Sequence, residues 1–430
     1  MANESPVNVV IVGAGLGGLS AAIAIARSGH RVKVVEQAPK LGEVGAGIQI
    51  PPNSARILER WGILPKLREG AMHPEFIAIR SYRDGSLLSL QKLRPLMEDV
   101  YGAPYLHIHR ATLHSVLCDE ATRLGVKFQL GATATGIDFE KTAVKVKDQA
   151  DVAADFILGA DGLRSACRES LLGRSDPSHN TGDMAYRVVI PTSEMKKYKE
   201  LVDFATIPSF NHWAGPGGHA VGYLIAGGSI FNMVIIVPDE LPDNVYSAKA
   251  NVNEMRDKFK CWCPEFRHML RMVTDVSAWK LRNSTEMETW RHPDGNFALL
   301  GDACHATLPY LAQGAAQAVE DGAVIGALFA KAQDKDEIKD ALNIYERLRK
   351  SRTSRVVQES SQYGAVMHLP DGEEQRERDR QMTDHEPFEG YPNKWADPVF
   401  QNYLFGYDAD AVAVEAWNEY KAGKERIQRG

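Results

Sequence analysis

The sequence predicts an α/β fold: a Rossmann-like domain on a parallel sheet, an inserted, mainly antiparallel-sheet α+β domain, and a C-terminal helical segment. Three observations predict it. Residues 7–36 read as strand, glycine turn, helix and strand in that order, the unit from which parallel sheets are wound. Residues 155–159 and 296–301 repeat the look of a buried apolar strand running into glycine. From Met184 to Trp290 the texture changes to short strand-like runs with one helical stretch, which suits an antiparallel insert.

Val7 to Val12 is β-branched apart from Asn8, as a buried parallel strand would be. Gly13-Ala14-Gly15-Leu16-Gly17-Gly18 then gives a GxGxxG turn. Its first glycine permits the tight turn, Gly15 lets the backbone approach a pyrophosphate, and Gly18 lets helix and strand pack closely. The run from Leu19 to Ala26 is the helix that follows, with unpaired N–H groups at its start for phosphates. Arg31 to Glu36 is the second strand, closed by an acid placed to accept hydrogen bonds from an adenosine ribose. Further helices are expected over 111–124, 314–332 and 338–367. In the insert, strands are expected over 188–190, 220–225, 231–237 and 276–281, and helix over 253–272. On this reading 1–75, 101–180 and 289–368 form the nucleotide-binding domain, 76–100 and 181–288 the substrate domain, and 369–430 a C-terminal tail. Within the tail, 372–386 reads as a solvated, charge-dense connector, and the aromatic run after Pro387 as packing back on the body.

Composition narrows the function. Fifty Lys and Arg against 56 Asp and Glu give a net charge of −6, so there is no basic excess for general nucleic-acid binding. A chain of 430 residues, 44% hydrophobic, buries an ample core without staples. Cys118, Cys167, Cys261, Cys263 and Cys304 form no CxxC pair and no Cys/His cluster. No metal site or disulfide framework is expected, and the thiols read as reduced in a cytoplasmic protein. Trp262 and Trp279 are expected at the domain junction, and Met184, Met233, Met269 and Met272 in the core. The apolar stretches 7–26 and 220–237 approach a bilayer span in length, but glycines interrupt both. Neither a membrane segment nor an export signal is expected.

Three motifs stand in order along the chain. Gly13 to Gly18 with Glu36 comes first, then Gly159-Ala160-Asp161-Gly162-Leu163-Arg164-Ser165, then Gly301-Asp302-Ala303, leading through Pro309 to Gly314 and on to Glu320-Asp321. With these, the chain resembles the single-component FAD-dependent aromatic hydroxylases over most of residues 7–325, and among them the salicylate hydroxylase branch. The branch resemblance also rests on Gly45 to Gln49, Pro52 to Ala55, His109-Arg110, Trp213, Gly215-Pro216, His219, Tyr223 and the tail Leu404 to Asp408. Two departures bear on the substrate more than on the cofactor. Leu224 follows Tyr223 where the branch often has proline, and Gln313 precedes Gly314 where the flavin loop usually carries a Gly-Gln pair.

The resemblance implies bound FAD, NADH or NADPH as transient reductant, and O2, with a flavin hydroperoxide hydroxylating a small aromatic acid or phenol. It implies cofactor contacts by Gly13, Gly15, Gly18, Glu36, Gly47, Arg110, Asp161, Asp302, Gly314, Ala315 and Ala316. Asp302, following a buried strand, suits ribitol hydroxyls; Arg110 suits the pyrophosphate. The helix starting near Gly314 aims its free N–H groups at the flavin pyrimidine. A helix N-cap is the other reading of Asp302. His219 and Tyr223, four apart in a strand, share a face. With Arg187 they are the candidate catalytic set: Arg187 and Tyr223 for a phenolate or carboxylate, His219 for phenol deprotonation. The rival readings are a dearomatising phenol hydroxylase or epoxidase of secondary metabolism, and a non-catalytic FAD sensor. A monomer or homodimer is expected.

Overall fold

The computed structural model describes residues 6–42 and 47–429. Gly45 and Ala46, two residues of the branch resemblance, lie outside them.

Five short strands form a wholly parallel sheet in the order Phe297–Leu299, Phe156–Gly159, Asn8–Val12, Arg31–Val35, Lys127–Gln129. Val10, Ile11, Val34, Ile157 and Leu158 are buried on both faces of this layer, which is why these strands read as unbroken apolar runs. Three of them end in glycine turns at the same edge: Val12 into Gly13, Gly159 into Ala160, and Leu299 into Leu300 and Gly301.

The helices Leu16–Arg27 and Gly314–Phe329 lie against each other. A Cβ at Gly322 would stand 2.7 Å from Ala21 N, and one at Gly326 2.4 Å from Ala24 Cβ, while one at Gly17 would reach Ala318 at 3.2 Å. Small residues therefore set the spacing, and the matched order 17–318, 21–322, 24–326 makes the two helices parallel. Both N-termini consequently open at the same end of the sheet.

The second layer is an eight-stranded sheet in the order Ser247–Lys249, Ser277–Asn283, His179–Pro191, Ile230–Pro238, Gly218–Ile225, Phe210–Gly215, Phe76–Ser81, Leu87–Lys92. All pairs are antiparallel except Phe210–Gly215 with Phe76–Ser81. Alternation divides its faces. Met184, Tyr186, Val188, Leu224, Phe231, Met233 and Ile235 bury into a core with Phe259, Trp262 and Phe266. The intervening residues Ala185, Arg187, His219, Val221, Tyr223, Val234 and Ile236 face the nucleotide-binding half.

The structure corrects three expectations and adds one element. Residues Glu373–Asp384 form a helix, not a solvated connector. Gln375, Arg378 and Met382 are its buried side, so polar groups supply the inward stripe and hydrophobic periodicity is silent. The helical stretch over 253–272 is two helices, Val252–Lys258 and Pro264–Arg271, broken before Pro264 where Cys263 N donates to Tyr82 O. Trp262 packs edge-on against Phe259 and tilted against Phe266, behind the sheet rather than at the junction. A three-stranded sheet over 134–153, invisible in the sequence pattern, also forms.

A fully buried ionic cluster joins the core to the tail. Arg349 meets Glu320 at 2.6 Å and Asp321 at 2.7 Å, and Arg352 meets Glu320 at 2.7 Å. Arg352 also donates to the carbonyls of Tyr403 and Leu404, and Arg56 to those of Phe405 and Tyr407. The tail is thus fastened by arginine to backbone, and its Trp395, Phe400, Leu404 and Phe405 are buried. Among the described residues no helix is long and apolar enough to cross a membrane.

Candidate active site

Between the two layers lies a cavity of about 400 Å³, within the usual range for small-molecule sites. Its nucleotide end is mostly backbone. Gly15, Leu16 and Gly17 begin one parallel helix, and Gly314 and Ala315 the other. Neither helix has an acidic residue in its first turn or a side-chain cap, so both present unpaired N–H groups and partial positive charge.

The three glycines of the first turn do different work. Gly13 has φ +103°, and a Cβ there would lie 2.5 Å from Ala160 O. A Cβ at Gly18 would lie 2.0 Å from Gly13 O. A Cβ at Gly15 meets nothing within 4 Å. Gly15 needs neither a left-handed backbone nor close packing, and the space in front of it is open cavity. That is a cradle a side chain would fill, at a helix N-terminus, and it fits a pyrophosphate.

Glu36 lies outside the cavity wall at the end of its strand. Its carboxylate accepts from Ala14 N at 2.7 Å and from Ala38 N at 2.8 Å, with lone pairs left for a ribose. Asp161 turns away from the cavity. It accepts from Ser165 Oγ and from Cys167 N at 3.1 Å, bracing the turn whose neighbours Ala160 and Gly162 line the wall. Burial raises its carboxyl against those hydrogen bonds. Gly13, Gly18 and Ala316 likewise stand behind the wall rather than in it.

Asp302 is in the wall. Gly301, with φ +62°, is the N-cap position of the helix Asp302–His305, and no side chain caps that helix. The capping role of Asp302 is therefore absent, and its carboxylate opens into the cavity with no protein hydrogen bond among the described residues. Although Asp302 keeps an exposed face, the protein around it desolvates the carboxyl and raises its pKa, against the pull of His305 and Arg110. Asp321 fixes this turn from beneath, accepting from Gly301 N at 2.9 Å and lying 2.6 Å from His305 Nε2. Arg110 opens the helix Arg110–Arg123 and also lines the cavity.

The opposite end is made of side chains. Register pairs Arg187 with Val234, Val234 with Val221, and Tyr223 with Asn232, so Arg187, His219 and Tyr223 share one face as their spacing implied. Arg187 lies over the Trp279 ring at 4.7 Å with no acidic partner among the described residues, and burial lowers its pKa. Tyr223 packs on Gly47, where a Cβ would lie 2.5 Å from its ring, and burial raises its phenol. Gly47 N donates to Asn232 Oδ1 at 3.3 Å, tying this wall to the nucleotide half. Burial drives His219 well towards the neutral form, and His212 and His368 add to the effect. Phe210, Ile48, Leu281 and Tyr310 complete an apolar lining.

Sequence reasoning missed His212, Tyr310 and His368, which surround His219. His368 is 149 residues away and ends a long helix, so no local pattern could place it. Among the described residues no cluster of metal-ligating side chains occurs.

Comparison with known proteins agrees with this geometry. Residues 6–360 match the FAD binding domain family. The FAD-dependent monooxygenase OpS4 of Beauveria bassiana is 39% identical over 96% of this chain and 98% of its own length. The 3-hydroxybenzoate 6-hydroxylase of Polaromonas naphthalenivorans is 33% identical over 85% of this chain and 89% of its own. A solved salicylate hydroxylase substrate complex shares the fold at TM-score 0.80 and 22% identity, covering 96% of this chain and 98% of that one. The chain belongs to the FAD-binding family of flavin-dependent aromatic hydroxylases and is an FAD-dependent monooxygenase.

Proposed function

We propose that this enzyme hydroxylates the ring of a small phenolic acid, with FAD held along the backbone end of the cavity and the substrate against the Arg187–His219–Tyr223 wall. One observation carries the reading: a single cavity joins two uncapped helix N-termini and the Asp302 carboxylate to a face with a buried histidine, a tyrosine and an arginine that has no acidic partner among the described residues. Relatives named for 3-hydroxybenzoate and for 3-amino-4-hydroxybenzoate support a phenol bearing a carboxylate.

On this reading Gly15 and its helix hold the pyrophosphate, with Arg110 beside it, and Glu36 takes the adenosine ribose. Asp302 accepts from the ribitol hydroxyls, and the N–H groups at Gly314 and Ala315 face the flavin pyrimidine. Gly47 keeps room beside the ring, while Gly13, Gly18, Asp161 and Ala316 hold the shape of the wall. When bound, FAD reduced by NADH or NADPH would activate O2 and pass one of its oxygen atoms to the ring. The chain's own residues do the rest. Arg187 binds the carboxylate and sets the ring's orientation. Tyr223 hydrogen-bonds the phenolic oxygen, and His219 Nε2 accepts its proton, making the ring carbons more nucleophilic. The apolar lining excludes water from the reaction.

The test is a panel of salicylate, 3-hydroxybenzoate and 3-amino-4-hydroxybenzoate with FAD-loaded protein, NADH or NADPH, and O2. At least one should accelerate nucleotide oxidation and gain one hydroxyl group. Nucleotide oxidation with no hydroxylated product from any member would contradict the reading.

A further inference from the structure

His219 does not stand alone. Its Nδ1 lies 2.6 Å from His368 Nε2, while its Nε2 makes no protein hydrogen bond among the described residues and its ring lines the cavity. His219 is 2% exposed. His368, the last turn of the helix Lys335–Met367 behind it, is partly exposed. The two rings thus span from the cavity wall towards solvent.

We propose that His219 and His368 form a two-imidazole relay that carries the substrate's hydroxyl proton out of the cavity. This rests on the phenol-hydroxylase reading above. The phenolic O–H bond breaks as a proton joins His219 Nε2. The proton on His219 Nδ1 crosses to His368 Nε2, and the proton on His368 Nδ1 leaves for water. Both rings end neutral in their other tautomers, one phenolate has formed, and one proton is in solvent.

The surroundings explain why a relay suits this place better than a single base. His212 stacks on His219 at 4.6 Å, Tyr310 meets its edge at 5.3 Å, and neither carries negative charge. Tyr363 OH lies 3.3 Å from His212 Nδ1, and Arg378 adds positive potential at His212. An imidazolium at His219 would therefore be buried without a counter-ion. At His368 burial again lowers the pKa, but Asp183, whose carboxylate accepts from Tyr310 OH at 2.6 Å, opposes that lowering with a negative charge that His219 lacks. Charge gains support only as it moves outward.

The test uses FAD-loaded, oxidised enzyme and 3-hydroxy-4-nitrobenzoate, whose phenolate absorbs in the visible, in a stopped-flow pH jump. His368→Gln should slow ionisation of the bound phenol at least tenfold while leaving its Kd, its final phenolate fraction and the FAD content unchanged. Added imidazole should restore much of the rate in His368→Ala. His219→Gln should remove the fast phase altogether. A wild-type rate in His368→Gln, with His219→Gln still defective, would overturn the relay and leave His219 as a lone base. A wild-type rate in both variants, or no binding of the probe to wild-type protein, would overturn the relay together with the reading of the wall on which it rests.

Discussion

At the nucleotide end of the cavity a ligand meets backbone: the N–H groups of two parallel helices and the space in front of Gly15. At the opposite end it meets Arg187 from one strand and His219 and Tyr223 from another, with His368 behind them. The first end is begun by glycines close together in sequence and completed by the helix that starts at Gly314. The second depends on register across three strands and on a helix that returns from far along the chain. A backbone site should therefore fail by steric insertion, and a side-chain site by loss of one charge or one proton.

The largest expected effect separates folding from binding within one motif. Gly18→Ala drives a methyl into Gly13 O, and should cost about 3 kcal/mol or more in thermal or denaturant unfolding. Gly15→Val should leave unfolding of the cofactor-free protein within about 0.5 kcal/mol. It should weaken FAD roughly a hundredfold, about 2.8 kcal/mol, by calorimetric titration. Equal unfolding losses in the two variants would erase the distinction drawn between their glycines.

The side-chain end makes a pH prediction. Burial lowers His107 to about 3, and burial with the fields of His368 and Arg378 lowers His212 to about 3. Both rings are neutral when folded and protonate near pH 6.5 when unfolded. Their contribution is complete above pH 6.5. Below it each histidine should withdraw about 1.4 kcal/mol per pH unit until pH nears 3. Urea unfolding at pH 7 and pH 5 measures this, and equal stabilities would show that the rings are not held neutral.

Smaller again is Arg187→Ala, expected to raise KM for a phenolic acid about tenfold, near 1.4 kcal/mol, with little change for the corresponding phenol lacking the carboxylate. An equal rise for both would make Arg187 a packing residue over Trp279.

The same contrast explains what was legible. Gly13 and Gly18 act within one turn, so spacing alone anticipated the tight turn and the close packing, and the spacing of His219 and Tyr223 anticipated a shared face. Spacing does not say which face, and nothing near His368 or Asp183 in the chain records their partners. The Glu373–Asp384 helix escaped notice because its buried side is largely polar. Asp302 was legible as a candidate from its place after a buried strand, but only the structure separates it from a helix cap.

The most direct test of the central claim, that flavin and phenolic acid share one cavity, is the visible spectrum of the FAD-loaded enzyme titrated with the hydroxybenzoate that binds it best. The account predicts a saturable flavin difference spectrum, shifted to about tenfold higher concentration by Arg187→Ala. Calorimetric binding of the acid with no change in the flavin spectrum would place the two ligands apart and contradict it.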